Sequence, residues 1–213
     1  LCPAWNTGTP LSPKLLIMDL RDAAMSGHTG ALVGDRSSTE HADTDGYAPT
    51  GHRSTGNGLP VIDNDVLWSC TTCGACVDQC PVDIEHVDHI VEMRRAQVMG
   101  DGEFPTELGT MFRQLEKASN PWGASPAART TWIDELAFPV TVLGRDRTDL
   151  GDEIEWLFFV GCAGAYDDNA RKTTKAVAEL LHIAGVTFAV LGDGESCNGD
   201  PARRAGNEFL FYE

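Results

Sequence analysis

The sequence predicts an α+β protein: a mostly α-helical, cysteine-bearing part, then an α/β part built on a parallel sheet. Three observations predict it. Apolar side chains recur at helical spacing on both sides of a cysteine cluster at 70–80. From 156 onward the rhythm changes to short continuous apolar runs, 156–160 and 186–191, which fit strands buried on both faces. One helical stretch lies between those runs, and a strand–helix–strand unit of that length implies a parallel pair with a right-handed crossover.

In chain order, Ser12 and Pro13 carry the cap-plus-proline signature of a helix start, and Leu15, Ile17, Met18 and the run from Leu20 to Met25 give that helix a buried face. Residues 28–60 are polar and Gly-rich and read as a mobile surface insertion. Its histidines, His28, His41 and His52, are scattered as solvated residues are and mark no site. Asp63 caps a short helix that ends at Trp68 and leads into Cys70. A further helix runs from His86 to Met99 with Val87, Ile90, Val91 and Val98 on one face, and another from about Pro105 to Lys117 with Leu108, Met111, Phe112 and Leu115 as its stripe. His86 and His89 share a helical face but have no third partner in reach for a metal.

An Ala/Pro/Ser stretch ending near Arg129 marks the boundary. We therefore expect one domain over 1–125, a linker over 126–150 and a second domain over 151–213. In the second, Asp168 opens a helix to His182 and Gly185 stops it. Asp200-Pro201 opens another helix. Cys162 and Cys197 each follow the carboxyl end of a strand, where open α/β sheets build their sites.

The chain carries 32 acidic against 16 basic side chains, a net charge of -16, which argues against nucleic acid and against a general hold on anionic lipid. It suits a redox module that meets a basic patch on a partner. There are seven cysteines. Four crowd into one short stretch, which is ligand spacing and not disulfide spacing, and free thiolates belong in a reducing compartment. No run of about 18 apolar residues is present, so no segment reads as a transmembrane helix.

That stretch is Cys70-Thr-Thr-Cys73-Gly-Ala-Cys76-Val-Asp-Gln-Cys80-Pro81, the C-x2-C-x2-C-x3-C-P run of bacterial-type ferredoxins. The two-residue gaps let one short loop wrap three thiolates round one [4Fe–4S] cube. In two-cluster proteins the cysteine before the proline serves the other cube. Cys2-Pro3 looks like the end of a second such run. Cys2 then completes the cube of Cys70, Cys73 and Cys76, and Cys80 points to a second cube whose other ligands lie upstream. The chain begins with leucine, so we expect it to be a piece of a longer protein. Four thiolates also suit zinc, although zinc sites more often show two separated C-x2-C knuckles. On that alternative the metal only staples an interaction module.

These residues resemble the heterodisulfide-reductase-related iron–sulfur oxidoreductases, which join a two-[4Fe–4S] ferredoxin-type domain to CCG domains. Cys162, a long gap, and the phrase Glu195-Ser196-Cys197-Asn198-Gly199-Asp200-Pro201-Ala202-Arg203-Arg204-Ala205-Gly206-Asn207-Glu208 are similar to the first half of a CCG repeat. Asn198 stands where that family usually has a second cysteine. The resemblance is strongest to membrane-bound members that pass electrons from electron-transfer flavoprotein to menaquinone in fatty-acid β-oxidation. It implies a ferredoxin-type domain over 1–125 and the first part of a CCG domain over 151–213. It implies a flavoprotein electron donor and a quinone acceptor reached through a membrane part. It also implies a place on the cytoplasmic side of the cell membrane, and Cys162 and Cys197 as ligands of a further, incomplete site. Relatives that oxidise glycerol-3-phosphate or lactate, or that act on heterodisulfides, are the alternatives the resemblance leaves open.

Overall fold

The computed structural model describes residues 2–35 and 60–212. The 28–60 insertion, with His41 and His52, falls mostly outside the described residues. The fold is α+β with small parallel sheets, and the chain forms two compact units: residues 1–105 with 204–208, and residues 106–203 with 209–213.

The first unit is helical. A short helix α1 (Pro3–Asn6) follows Cys2, and α2 (Pro13–Ser26) starts where Ser12 accepts a hydrogen bond from Leu15 N and Pro13 occupies the first helical position. It stops at Gly27, whose φ of 67° is left-handed, the region glycine occupies without strain. Two short strands, β1 (Val33–Gly34) and β2 (Ile62–Asp63), pair in parallel with Val33 opposite Ile62. Then α3 (Asn64–Trp68) is capped by Asp63, which accepts from Asp65 N at 2.8 Å. Leu11, Leu16, Val61, Ile62, Leu67, Ile90 and Met93 form the core, with Cys2, Trp68 and Cys70 packed at its edge.

After the one-turn α4 (Ala75–Asp78), α5 (His86–Arg95) gives way to a π-helical turn over Ala96–Asp101. The expected continuous helix to Met99 is thus shorter. Its buried face also differs: His86, Ile90, Met93, Arg94 and Gln97 point inward. Three of these, His86, Arg94 and Gln97, are polar. Gln97 accepts from Trp68 Nε1 and donates to Asn64 Oδ1. Residues 204–208 belong to this unit. Gly206 has φ +81°, and a Cβ on it would lie 2.4 Å from Arg95 N, so only glycine lets the two backbones approach.

The second unit begins at α6 (Thr106–Ala118), upstream of the expected break near 125. Phe112 and Leu115 are its buried residues, and Ser119 O at its end accepts from Cys197 N at 2.9 Å. The fully buried Asn120 then closes the turn, donating to Ala118 O and Ala124 O and accepting from Trp122 N and Ala124 N. The stretch expected as a linker is structured. A 3-10 helix (Pro126–Glu135) buries Trp132, and β3 (Thr141–Val142) joins the sheet.

That sheet has the order β3–β5–β4, all parallel, with β4 (Trp156–Leu157) and β5 (Phe188–Val190) in register at Trp156 opposite Phe188. The central β5 is buried throughout, as a strand with neighbours on both sides must be. The expectation fails for 156–160. Only two residues form strand, and Trp156 and Leu157 are exposed, because β4 is an edge strand and the inward packing is left to Phe158 and Val160. Between them α7 (Gly161–Tyr166) leads into α8 (Asp168–Ile183). The cap of α8 is Asp167, one residue before the expected one, accepting from Asn169 N and Ala170 N. Finally α9 (Asp200–Arg204) and α10 (Glu208–Tyr212) close the described chain.

Candidate iron–sulfur and cysteine sites

Helix α3, pinned by Leu67 in the core, delivers Trp68 and Cys70 to the start of the cysteine loop. The loop turns through left-handed conformations at Thr72 (φ 53°) and Gly74 (φ 76°), and α4 carries Cys76. The turn at Thr72 lets its N–H donate to Cys70 Sγ at 3.3 Å. Cys2, just before α1, packs on the same core edge.

The thiols of this loop feel one another. Burial pushes the Cys70 thiol up, and the negative charges of Cys2 and Cys73 push it further, against the Thr72 N–H and the Arg94 guanidinium, which lower it. Burial and the charges of Cys70 and Cys2 push Cys76 up as well. The exposed Cys73 goes the other way, chiefly through the Ala75 N–H. Cys80 takes a different partner, accepting from Ile84 N at 3.4 Å beside Asp83, whose φ is 54°. Among the described residues no three His, Cys, Asp or Glu close on a point for a single metal ion. Each iron of a cube takes its own thiolate, so the donor set of mutually repelling thiols with N–H donors aimed at sulfur fits such a cluster.

Behind this loop stands Arg94, which sequence reasoning missed. Its Nη2 donates to Leu67 O at 2.9 Å and to Cys70 O at 2.8 Å, and its Nη1 to Arg204 O at 3.1 Å. The guanidinium lies 4.8 Å from the centre of the Trp68 ring. Arg204 in turn donates to Thr72 Oγ1 and Thr71 O. An inward arginine on a helix face otherwise spaced as core was the available signal.

The second site lies beyond the carboxyl ends of β4 and β5. Gly161, with φ 75°, turns the chain so that Cys162 enters α7 buried. Arg129 Nη2 donates to Cys162 Sγ at 3.1 Å, and Arg129 Nη1 to Glu195 Oε1 at 3.3 Å. Glu195 also accepts from Val160 N and Gly161 N. The Arg129 guanidinium stacks over Tyr166, 5.2 Å from its ring centre. Cys197 comes close enough to act on Cys162 by charge and hydrogen bond. Burial raises the Cys162 thiol first, Arg129 opposes that, and Cys197 adds to it. Two thiols do not make a cluster site by themselves. Asn198, where a second cysteine would extend the set, instead accepts from Asp200 N at 3.1 Å and steers the chain into α9. Glu195 sits in the phrase around Cys197, but nothing in an Ala/Pro/Ser-rich stretch signals Arg129. His86 is buried and His89 exposed, and neither joins a site.

Comparison with known proteins places the chain in a family. The cysteine-rich (CCG) domain family matches residues 156–213. The chain is 38% identical to the "EtfAB:quinone oxidoreductase" of Syntrophomonas wolfei, over 99% of this chain and 30% of that protein. The chain belongs to the CCG-domain iron–sulfur oxidoreductases. It is also 38% identical to the "Probable iron-sulfur-binding oxidoreductase FadF" of Bacillus subtilis, over all of this chain and 32% of that protein. A third relative, from the dihydromethanophenazine:CoB–CoM heterodisulfide reductase of Methanosarcina mazei, is 30% identical over 67% of this chain and 32% of its own length. The chain thus spans about a third of the curated relatives it matches. No solved structure matches it. In this CCG-domain protein Cys162, Glu195 and Cys197 lie within the matched domain, whereas Arg129 reaches Cys162 and Glu195 from before it.

Proposed function

We propose that this chain is the iron–sulfur electron-transfer part of an oxidoreductase. It takes electrons from reduced electron-transfer flavoprotein, or another flavoprotein donor, and passes them toward menaquinone in fatty-acid β-oxidation. The observation that carries the reading is that Cys2 packs against the same core as Cys70, the first cysteine of the C-x2-C-x2-C-x3-C-P loop. Cys2, Cys70, Cys73 and Cys76 hold one [4Fe–4S] cluster. Cys80, turned to Ile84 N, serves a second cluster shared with cysteines outside this sequence. Cys162 and Cys197 contribute to a further centre of the CCG type.

When bound, such a cluster supplies a one-electron carrier that needs no acid, base or nucleophile. The chain holds it through the thiolates, keeps water from it with Trp68, and donates to sulfur from Thr72 N. Quinones dissolve in lipid, so contact with the acceptor falls to a membrane part on the cytoplasmic side. No helix among the described residues is long and apolar enough to cross a membrane. The relative named for EtfAB and quinone supports this donor and acceptor.

Iron and acid-labile sulfide, measured per chain on anaerobically prepared protein together with EPR after dithionite reduction, test the reading. It expects a brown protein with one cubane per chain that is lost on Cys70→Ser. A colourless protein that binds zinc and no iron would overturn it and leave a metal-stapled module.

A further inference from the structure

Arg94 and Arg95 are neighbours on α5 with opposite electrostatic circumstances. Arg95 is paired with two carboxylates, Glu92 and Glu208. Arg94 is 5% exposed and meets only neutral groups: the carbonyls of Leu67, Cys70 and Arg204 and the face of Trp68. No carboxylate is among its partners in the described residues, and its Nε is buried without a hydrogen-bond partner there. A buried cation that lacks a counter-ion carries a large desolvation penalty. The ionisable group that acts on it is the Cys70 thiol, in a chain whose net charge is otherwise -16.

We propose that Arg94 is the fixed buried cation that sets the reduction potential of the iron–sulfur cluster held at Cys70. The inference rests on the reading of Cys2, Cys70, Cys73 and Cys76 as cluster ligands. Taking one electron from a reduced flavoprotein adds one negative charge at the loop and requires no proton. A positive charge held against the Cys70 carbonyl in a low-dielectric interior favours that added charge. Because the charge is an arginine's, it does not titrate away with pH. Arg94 is a positioning residue in this role: its guanidinium bonds the backbone of a ligand and not the cluster.

The test is an EPR-monitored redox titration of the anaerobic protein, wild type against Arg94→Gln, with Arg94→Lys and Arg204→Gln alongside. Loaded Arg94→Gln is expected to be at least tenfold harder to reduce, a fall of about 59 mV for a one-electron couple. Arg94→Lys keeps a charge that the anionic centre holds protonated, and stays within that tenfold while its melting temperature drops. Arg204→Gln loses bonds to the same loop without removing a buried charge, and also stays within it. A loaded Arg94→Gln with an unchanged midpoint makes Arg94 a structural clamp and overturns the proposal. If Arg94→Gln does not load, Arg94→Lys decides: a tenfold or larger fall there shows that geometry and not charge sets the potential. Wild-type protein without iron and sulfide would sink the cluster reading itself, an outcome distinct from an unmoved midpoint.

Discussion

Arg129 and Glu195 form an ion pair with both side chains nearly out of water, 3% and 2% exposed, and the same guanidinium reaches Cys162 Sγ. Such a pair is weak evidence of net stability but strongly resists being halved, because the partner left behind is a buried charge. Glu195→Ala strips Arg129 of its counter-ion and frees Val160 N and Gly161 N at once. It is expected to destabilise the second unit by about 3–5 kcal/mol in denaturant unfolding. Arg129→Met is milder, since Glu195 keeps two backbone donors, and the double variant Arg129→Met with Glu195→Ala falls short of the sum of the singles. Additive costs would show that the two groups are not coupled.

Reactivity in metal-free protein separates the cysteine thiols. The thiolate is the nucleophile. The Ala75 N–H holds Cys73 below the usual thiol range, whereas burial holds Cys70, Cys76 and Cys162 above it. Near pH 8, iodoacetamide is expected to label Cys73 first, with Cys70, Cys76 and Cys162 following as the pH is raised, read by peptide mass spectrometry. The same shifts bear on stability. A thiol raised in the folded state favours folding below the unfolded value near 9 and loses that contribution as pH climbs through its folded value. Metal-free protein is therefore expected to lose stability above about pH 9. Uniform labelling of the four would contradict the assigned environments.

What the sequence made legible follows from how local each signal is. Ser12-Pro13, Asp63 and the glycine stops are decided by neighbours within a turn, and the helices begin and end close to them. The spacing of Cys70 to Cys80 is likewise local. Strand burial is not. Nothing within 156–160 reveals that β4 is an edge, because that depends on β3 arriving from 141–142 on the far side of β5. Nor does composition reveal Arg129, whose role arises from its approach to residues 162 and 195, long after it in the chain. Arg94 was hidden differently: it occupies a core position in the helical pattern, where periodicity leads one to expect an apolar side chain.

Two glycines with similar backbone angles allow strain and crowding to be told apart. Gly8 has φ +85° and Gly206 φ +81°, but a Cβ at Gly8 meets nothing within 4 Å while one at Gly206 meets Arg95 N at 2.4 Å. Gly8→Ala is expected to cost only the left-handed penalty, about 1–2 kcal/mol. Gly206→Ala adds a backbone clash that no rotamer relieves, and must push residues 204–208 off α5. Its loss in thermal unfolding is expected to exceed that of Gly8→Ala by a wide margin. Equal losses would mean that the close approach is not held in solution.

Cys2 and Cys80 provide the sharpest contrast within the cysteine loop. Sequence position alone would group Cys80 with Cys70, Cys73 and Cys76, since only three residues separate it from Cys76. Yet Cys2 packs against the same core as Cys70, whereas Cys80 accepts from Ile84 N. Under the crossed assignment Cys2→Ser removes a ligand of the cluster that this chain can complete, so its reduced EPR signal is expected to disappear or convert to a three-iron form. Cys80→Ser is expected to leave that signal in place, with iron per chain close to wild type. The reverse pattern, with the signal sensitive to Cys80 and indifferent to Cys2, would assign all four ligands to the contiguous run and return Cys2 to the status of a free thiol.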